Sequence, residues 1–295
     1  MSGRSLGPIQ FIPGENRGRY PYCNSIYIEE AGILIDPASD RKTLIELRDT
    51  RGVRQVWLSH WHEDHFMHLD LFEDIPFWIS ERDHPPLTDL ETLLDWYDIE
   101  NPDYRAYWTR LLEEQFHYRP RRPTRFFQDG EIIDLGALTV EVIPTPGHTP
   151  GHLAFYFREP KVLFLGDYDL TSFGPWYGDR YSNIDETILS IKHLKKIPAA
   201  IWLTGHENRI FESSPGDLWD QYAGVIDQRE DQLLDLLREP KSLVEIAKAY
   251  IVYGRPREPK EFFEFGERAI MKKHLERLEK NGRVVQNGKN FQSNQ

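Results

Sequence analysis

At 295 residues the chain is long enough for one large domain and a small one, and its 39% hydrophobic and 28% charged residues are those of a globular protein. A formal net charge of −12 disfavours a protein built to grip a phosphate backbone, which needs a basic face, and the single cysteine, Cys23, excludes an intrachain disulfide framework and a thiolate metal cage. Residues 1–10 carry no apolar h-region and no stretch approaches the roughly eighteen apolar residues of a membrane span, so a cytoplasmic protein without membrane contact is expected.

Ser25 to Glu29 and Gly32 to Asp36 read as strands joined by a short turn. Arg41 to Thr50, with Leu44, Ile45 and Leu47 among charges, reads as a helix, and Val53 to Leu58 as a buried strand. That strand delivers His60-Trp61-His62-Glu63-Asp64-His65, three imidazoles and a carboxylate in one short loop. Residues 82–125 differ in character: they look helical, hold Trp96, Tyr97, Tyr104, Tyr107, Trp108, Phe116 and Tyr118, and end in the basic run Arg119 to Arg125. Such a segment, inserted between sheet elements, is expected to act as a lid or pocket wall. Aromatics make up 13% of the chain, and most of them should fill the core.

Further on, Glu131 to Leu135 pairs with Leu138 to Ile143, and Leu153 to Phe157 with Val162 to Leu165. Asn183 to Lys195 reads as a helix capped by Asn183, with Glu186 at the capping-box position, and Ala199 to Leu203 as a strand. Strands with occasional helices in two similar halves predict a layered α/β sandwich. A boundary falls at Glu212 to Gly216, which divides the chain into residues 1–213 and 214–295. A helix capped by Ser214 and running to Leu237, helices Leu243 to Tyr250 and Ala269 to Lys280, and a hairpin over 283–292 then follow in the order of a winged helix.

Bringing the imidazoles and carboxylate of 60–65 together, partly desolvated, favours a bound cation, and nitrogen with carboxylate oxygen suits zinc as well as iron or manganese. Three more strand ends present ligands of the same type. His148 sits in the Pro/Gly-rigid loop Pro144 to His152, Asp167 follows Val162-Leu163-Phe164-Leu165-Gly166, and His206 follows Ile201-Trp202-Leu203-Thr204-Gly205. His152 is expected to steady the His148 loop or to donate to a ligand. His68, His84, His117, His193 and His274 are expected at the surface or in the core, and Cys23 as a small buried hydrophobe.

With these motifs in this order, residues Ile9 to His206 resemble the metallo-β-lactamase-fold hydrolase superfamily. The resemblance implies an αββα sandwich. It implies that His60, His62 and His148 hold one metal, that Asp64, His65 and His206 hold a second, and that Asp167 bridges them. Two divalent ions, zinc first, would then activate a metal-bound hydroxide, with Asp64 both ligating and orienting the nucleophile. In place of the Gly-Gly that often follows the histidine motif stands Phe66-Met67-His68-Leu69-Asp70, which alters the pocket wall and no ligand. Asp167 stands where one β-lactamase subclass uses cysteine, and His62 argues against the flavodiiron branch, which has an acidic residue there. The tail resembles hydrolases of the β-lactamase-like protein 2 type, which carry a C-terminal winged helix. From Asp217 onward, however, 14 Lys/Arg balance 14 Asp/Glu, so a packing or pocket-forming role is expected over DNA reading.

The resemblance implies a small-molecule substrate: a thioester, lactone or other ester such as an acyl-CoA or glutathione thioester. The aromatic insertion and its basic run would suit an apolar acyl group on an anionic carrier, and Tyr177, Arg121 and Arg122 are the candidate substrate contacts. Two alternatives are a single-strand endoribonuclease of the same fold and an iron-dependent persulfide dioxygenase. A homo-oligomer is left open.

Overall fold

Short apolar strands build two sheets that face each other, described by a computed structural model over residues 3–207 and 209–294. The first sheet holds β1 (Arg4–Leu6), β2 (Ile9–Ile12), β3 (Ser25–Ile28), β4 (Ile33–Ile35), β5 (Gln55–Trp57), β6 (Phe77–Ser80) and β7 (Arg125–Phe127) in chain order. Its pairs are antiparallel as far as β4 and parallel from there to β7. The second holds β8 (Ile132–Asp134), β9 (Thr139–Pro144), β10 (Leu153–Phe157), β11 (Val162–Phe164), β12 (Ile201–Leu203) and β13 (Ile210–Phe211), again neighbour to neighbour.

Side-chain alternation decides which residues meet between the sheets. Ile26, Ile28, Ile33, Ile35 and Trp57 of the first sheet pack on Val140, Val142, Phe155, Phe157 and Phe164 of the second. The intervening residues point outward onto helices. Tyr27, Leu34 and Val56 meet Leu44 and Leu47 of helix Arg41–Thr50, while Ala154, Leu163 and Trp202 meet Ile191 and Leu194 of helix Ile184–Leu194. The result is the four-layered αββα sandwich expected from the sequence.

Helix Arg41–Thr50 and β10 fall on the predicted residues. Asn183 caps its helix through Glu186 N (3.1 Å). β6 is short and almost wholly buried, so it shows no clean alternation, and β7 is a three-residue edge strand that begins at exposed Arg125; both went unpredicted. The insertion forms helices Pro85–Thr88, Leu90–Trp96 and Pro102–Glu114 before it returns as β7. The helix expected from Ser214 begins at Leu218 and has no side-chain cap. The last helix begins at Lys260, nine residues before the predicted Ala269, directly after Pro259.

Beyond Leu218 lie helices Leu218–Leu236, Leu243–Ala247 and Lys260–Lys280, and a small sheet of β14 (Lys241–Ser242), β15 (Val284–Asn287) and β16 (Asn290–Ser293) in the order β14-β16-β15. Their core (Ile226, Leu233, Ile246, Ile270, Met271 and Leu275) also takes in Ile184 and Tyr177 from the preceding part of the chain. Phe265 and Ala269 join the core beneath the insertion. No helix among the described residues is long and apolar enough to cross a membrane.

Candidate metal centre

The predicted ligands follow the C-terminal ends of strands, where parallel neighbours bring loops to one edge. β5 leads to the 60–65 loop, β9 to His148, β11 to Asp167 and β12 to His206. His60, His62, His148 and Asp167 each bring a donor atom within 4.8 Å of the others, and so do Asp64, His65 and His206. Asp167 lies between these groups: its carboxylate is 2.7 Å from His65 Nε2, 3.2 Å from His148 Nε2, 3.4 Å from His206 Nε2 and 3.8 Å from His60 Nε2. Burial pushes the Asp167 carboxyl up, but His65, His206, His60 and His148 outweigh it and hold it well below the usual carboxylate range.

The far nitrogen of each imidazole has a fixed acceptor. His65 Nδ1 donates to Asp36 Oδ2 (2.9 Å), and His62 Nε2 to Asp179 Oδ2 (2.7 Å). His148 Nδ1 donates to Trp176 O (3.1 Å), and His206 Nδ1 to the carbonyls of Gly18 and Tyr22 (3.0 Å each). Ser59 Oγ donates to Asp36 Oδ2 (2.7 Å), so it accepts from His60 Nδ1 (3.0 Å). In the neutral rings that a metal requires, one proton is committed outward and the other five nitrogens turn lone pairs toward one another: His60 Nε2 is 3.0 Å from His62 Nδ1 and 3.1 Å from His148 Nε2, and His65 Nε2 is 3.3 Å from His206 Nε2. Asp167 Oδ1 is buried without a hydrogen bond. Such facing lone pairs repel one another unless a cation lies among them, so the donor set fits divalent metal.

His152 is fully buried and serves the loop as expected. It bonds Thr145 Oγ1 through Nδ1 (2.7 Å) and accepts the Asp167 backbone N–H at Nε2 (3.1 Å). Sequence reasoning missed Asp36, Asp179, Asp83 and Asp169. Asp36 ends the apolar strand Ile33–Ile35 just as Asp167 follows Val162–Phe164, so the signal was present. Asp179 and Asp83 have no local signature. Asp83, buried at the start of the insertion, accepts from Thr149 Oγ1 and from Gly151 N (2.6 Å) and so anchors the His148 loop from another part of the chain. Asp169 accepts the His206 backbone N–H (2.8 Å) and can share a cation with Asp167 and His206.

A cavity of about 440 Å³ opens onto the centre and is lined by His62, Asp64, His148, Asp167 and His206. The insertion supplies Tyr97 and Trp108 to its wall, as expected, and the C-terminal segment adds Tyr222, Tyr253, Arg257, Phe262, Phe263 and Phe265. Glu63 faces this cavity. It accepts the hydroxyls of Tyr20 (2.7 Å) and Tyr97 and thereby ties the N-terminal and inserted walls to the ligand loop. Burial, then the charge of Asp64, pushes its carboxyl up to about 7.

The three candidate substrate contacts lie elsewhere. Tyr177 is fully buried, its hydroxyl bonded to His274 Nε2 (2.9 Å) and Arg229 Nη1 (3.0 Å). Arg121 stacks on Phe77, 4.9 Å from the ring centroid, and donates to the carbonyls of Phe72 (2.9 Å) and Ile75, so its guanidinium is spent on the fold. Arg122 is exposed and, like the other two, is not among the cavity's lining residues.

His68, Asp70 and His117 also lie within 4.8 Å of one another. Arg41 already occupies that group: its guanidinium holds Asp70 in two bonds (2.8 and 2.6 Å) and lies 3.3 Å from His68 Nδ1. Burial, reinforced by Arg41, pushes the His68 imidazole down to about 4. A histidine with a folded value below its unfolded one stabilises the fold only while neutral. Its contribution is complete above pH ~6.5 and is lost as pH falls toward about 4, a difference of about 3 kcal/mol at most. His68→Gln should therefore flatten the fall in melting temperature over that range; a decline parallel to that of the unsubstituted protein would count against this reading.

A model of the Metallo-beta-lactamase superfamily matches residues 18–206. The chain is 29% identical over 161 residues to a probable metallo-hydrolase of Streptococcus pyogenes, which covers 54% of this chain and 63% of that protein. It is 29% identical over 178 residues to acyl-coenzyme A thioesterase MBLAC2 of Gallus gallus (58% of each), and 29% identical over 153 residues to hydroxyacylglutathione hydrolase GloC of Haemophilus influenzae (49% and 65%). It thus spans less than two thirds of the length of each of these relatives. In fold it is similar to a metallo-beta-lactamase family protein of Thermus thermophilus, with a TM-score of 0.72 at 23% identity over 97% of this chain and 99% of that one. A beta-lactamase domain protein of Burkholderia ambifaria gives 0.70 at 16% identity, over 99% and 93%.

Proposed function

The chain belongs to the metallo-β-lactamase superfamily, and from that premise we propose that it is a hydrolase of thioesters that uses two divalent cations, zinc before iron or manganese. The observation that carries the reading is the set of five inward imidazole nitrogens gathered with Asp64 and Asp167, each ring locked from behind by a carboxylate, carbonyl or hydroxyl. His60, His62 and His148 would hold one cation, Asp64, His65 and His206 the other, with Asp167 between them. Cations held there would supply Lewis acidity for a carbonyl oxygen and for a water.

The chain's own residues do the rest. Asp64, whose Oδ2 is 3.3 Å from His206 Nε2, orients the attacking water and takes its proton. Asp36 and Asp179 keep His65 and His62 in the tautomers that leave a lone pair at the centre. Tyr97, Trp108, Phe262 and Phe265 offer an apolar wall to an acyl group and exclude bulk water. No serine or cysteine nucleophile is needed.

Two relatives support a thioester, one an acyl-coenzyme A thioesterase and the other a hydroxyacylglutathione hydrolase. In this reading the C-terminal helices and sheet, which follow the order of a winged helix, serve as a pocket wall. From Asp217 onward 14 Lys/Arg are balanced by 14 Asp/Glu, so this segment has no net positive charge to draw RNA, and five of its aromatics line the cavity.

Metal content and a hydrolysis screen together test the proposal. The expected result is two equivalents of divalent metal per chain and turnover of acyl thioesters, both lost on chelation and restored by zinc. A single iron with oxygen consumption, or salt-sensitive RNA cleavage without thioester turnover, would overturn it.

A further inference from the structure

Five carboxylates line the cavity that opens on the metal centre, and three of them, Asp64, Asp167 and Asp169, belong to the groups that could hold a metal. Two arginines also line the cavity, Arg19 and Arg257, both exposed. Arg257 has no carboxylate within 4.0 Å among the described residues; its guanidinium lies over the rings of Tyr253 and Phe263, 5.7 Å from each centroid. The two aromatic faces hold the guanidinium in place; one N–H donates to Tyr253 O (3.4 Å), and the remaining N–H groups have no side-chain partner among the described residues. Arg19 is 3.6 Å from Glu207, but Glu207 is also held by Arg209 at 2.9 Å, so one carboxylate serves two cations and a positive charge is left over. Apart from these arginines, the carboxylates and the histidines, the lining is largely aromatic.

A substrate that fits this lining has a reactive carbonyl at the centre, apolar surface along the rings and an anion at the arginines. We infer that Arg257, aided by Arg19, binds the anionic group of the thiol carrier and so sets carrier specificity. This rests on the thioester reading above. The planar guanidinium fork suits both a phosphate and a carboxylate. The C-terminal segment thereby reads the carrier, and the basic run Arg119 to Arg125 takes no part.

The test is kinetic, on the metal-loaded full chain, with one acyl group carried as its coenzyme A, glutathione and neutral N-acetylcysteamine thioesters. Arg257→Ala should lower kcat/KM for the anionic carriers about tenfold relative to the neutral one, mostly through KM, and Arg257→Lys should restore part of it. Arg19→Ala combined with Arg257→Ala should enlarge the loss. A loss confined to the coenzyme A thioester assigns the anion as phosphate; one confined to the glutathione thioester assigns it as carboxylate. A ratio that stays within twofold of the unsubstituted value overturns the inference. Should none of the three thioesters be hydrolysed, the thioester reading fails by itself, and equilibrium binding decides the arginines. S-methyl coenzyme A or S-methylglutathione should then bind about tenfold more weakly to the double variant, and equal dissociation constants overturn the inference.

Discussion

Asp167→Asn is expected to strip the centre of metal and to lower kcat/KM about a thousandfold, or about 4 kcal/mol of transition-state stabilisation. Asp167 is the carboxylate that four imidazoles share, with its oxygens 2.7 to 3.8 Å from their inward nitrogens. An amide keeps the shape, removes the charge and turns N–H groups toward the lone pairs that the rings present. The centre then has two causes of failure: a weaker hold on any cation, and less negative charge to offset two of them. Because the side chain sits at the end of an intact strand and its backbone N–H still bonds His152, the fold should survive. A melting curve close to that of the unsubstituted protein, together with metal content below one equivalent, is the expected pair of results. Two equivalents of metal with activity within tenfold would remove Asp167 from the ligand set.

Gly147→Ala should be the most damaging change among the glycines around the centre. The backbone there has φ of +124°, a region closed to residues with a side chain. A Cβ would lie 2.2 Å from Thr187 N and 2.6 Å from Thr187 Cα. Those atoms belong to the first turn of helix Ile184–Leu194, and Gly147 O accepts the backbone N–H of its cap residue, Asn183, at 2.9 Å. Neither side can give without moving the loop off the helix, and His148 is the next residue. Strain and overpacking together come to about 4 kcal/mol, a fall in melting temperature of about 10 °C. Gly130→Ala is the control: φ is +72° and nothing lies within 4 Å, so it carries strain alone, about 1–2 kcal/mol. If the two variants melt within 2 °C of each other, the contact with Thr187 is not what keeps residue 147 a glycine.

Elements with local causes were legible in the sequence. Helix Arg41–Thr50 has its cap, Asp40, and its apolar stripe in its own residues, and β10 is a run of five apolar residues between turn signals. β6 and β7 were not legible, since strands of four and three residues are too short to show a period, β6 being nearly all buried and β7 running from exposed Arg125 to buried Phe127. Helix Lys260–Lys280 was read too short because Phe262, Phe263 and Phe265 serve the cavity and the core beneath the insertion, and so break the pattern of a helix that faces one core.

The chain by itself determined the candidate metal-ligand set. Strands that end at one sheet edge deliver their next few residues to one place, so ligand-type residues after four apolar runs name themselves. What encloses that set depended on tertiary structure. Asp36, Asp179 and Asp83 orient the histidines and their loops from sites up to 117 positions away along the chain. The basic run at 119–125, an anion site on composition alone, is partly consumed by backbone carbonyls and ring faces, whereas Arg19 and Arg257, from opposite ends of the chain, both line the cavity. A ligand needs only a strand end, which is a local property. A binding surface needs side chains from distant segments left unspent by the fold, and that is settled only when every other partner has been assigned.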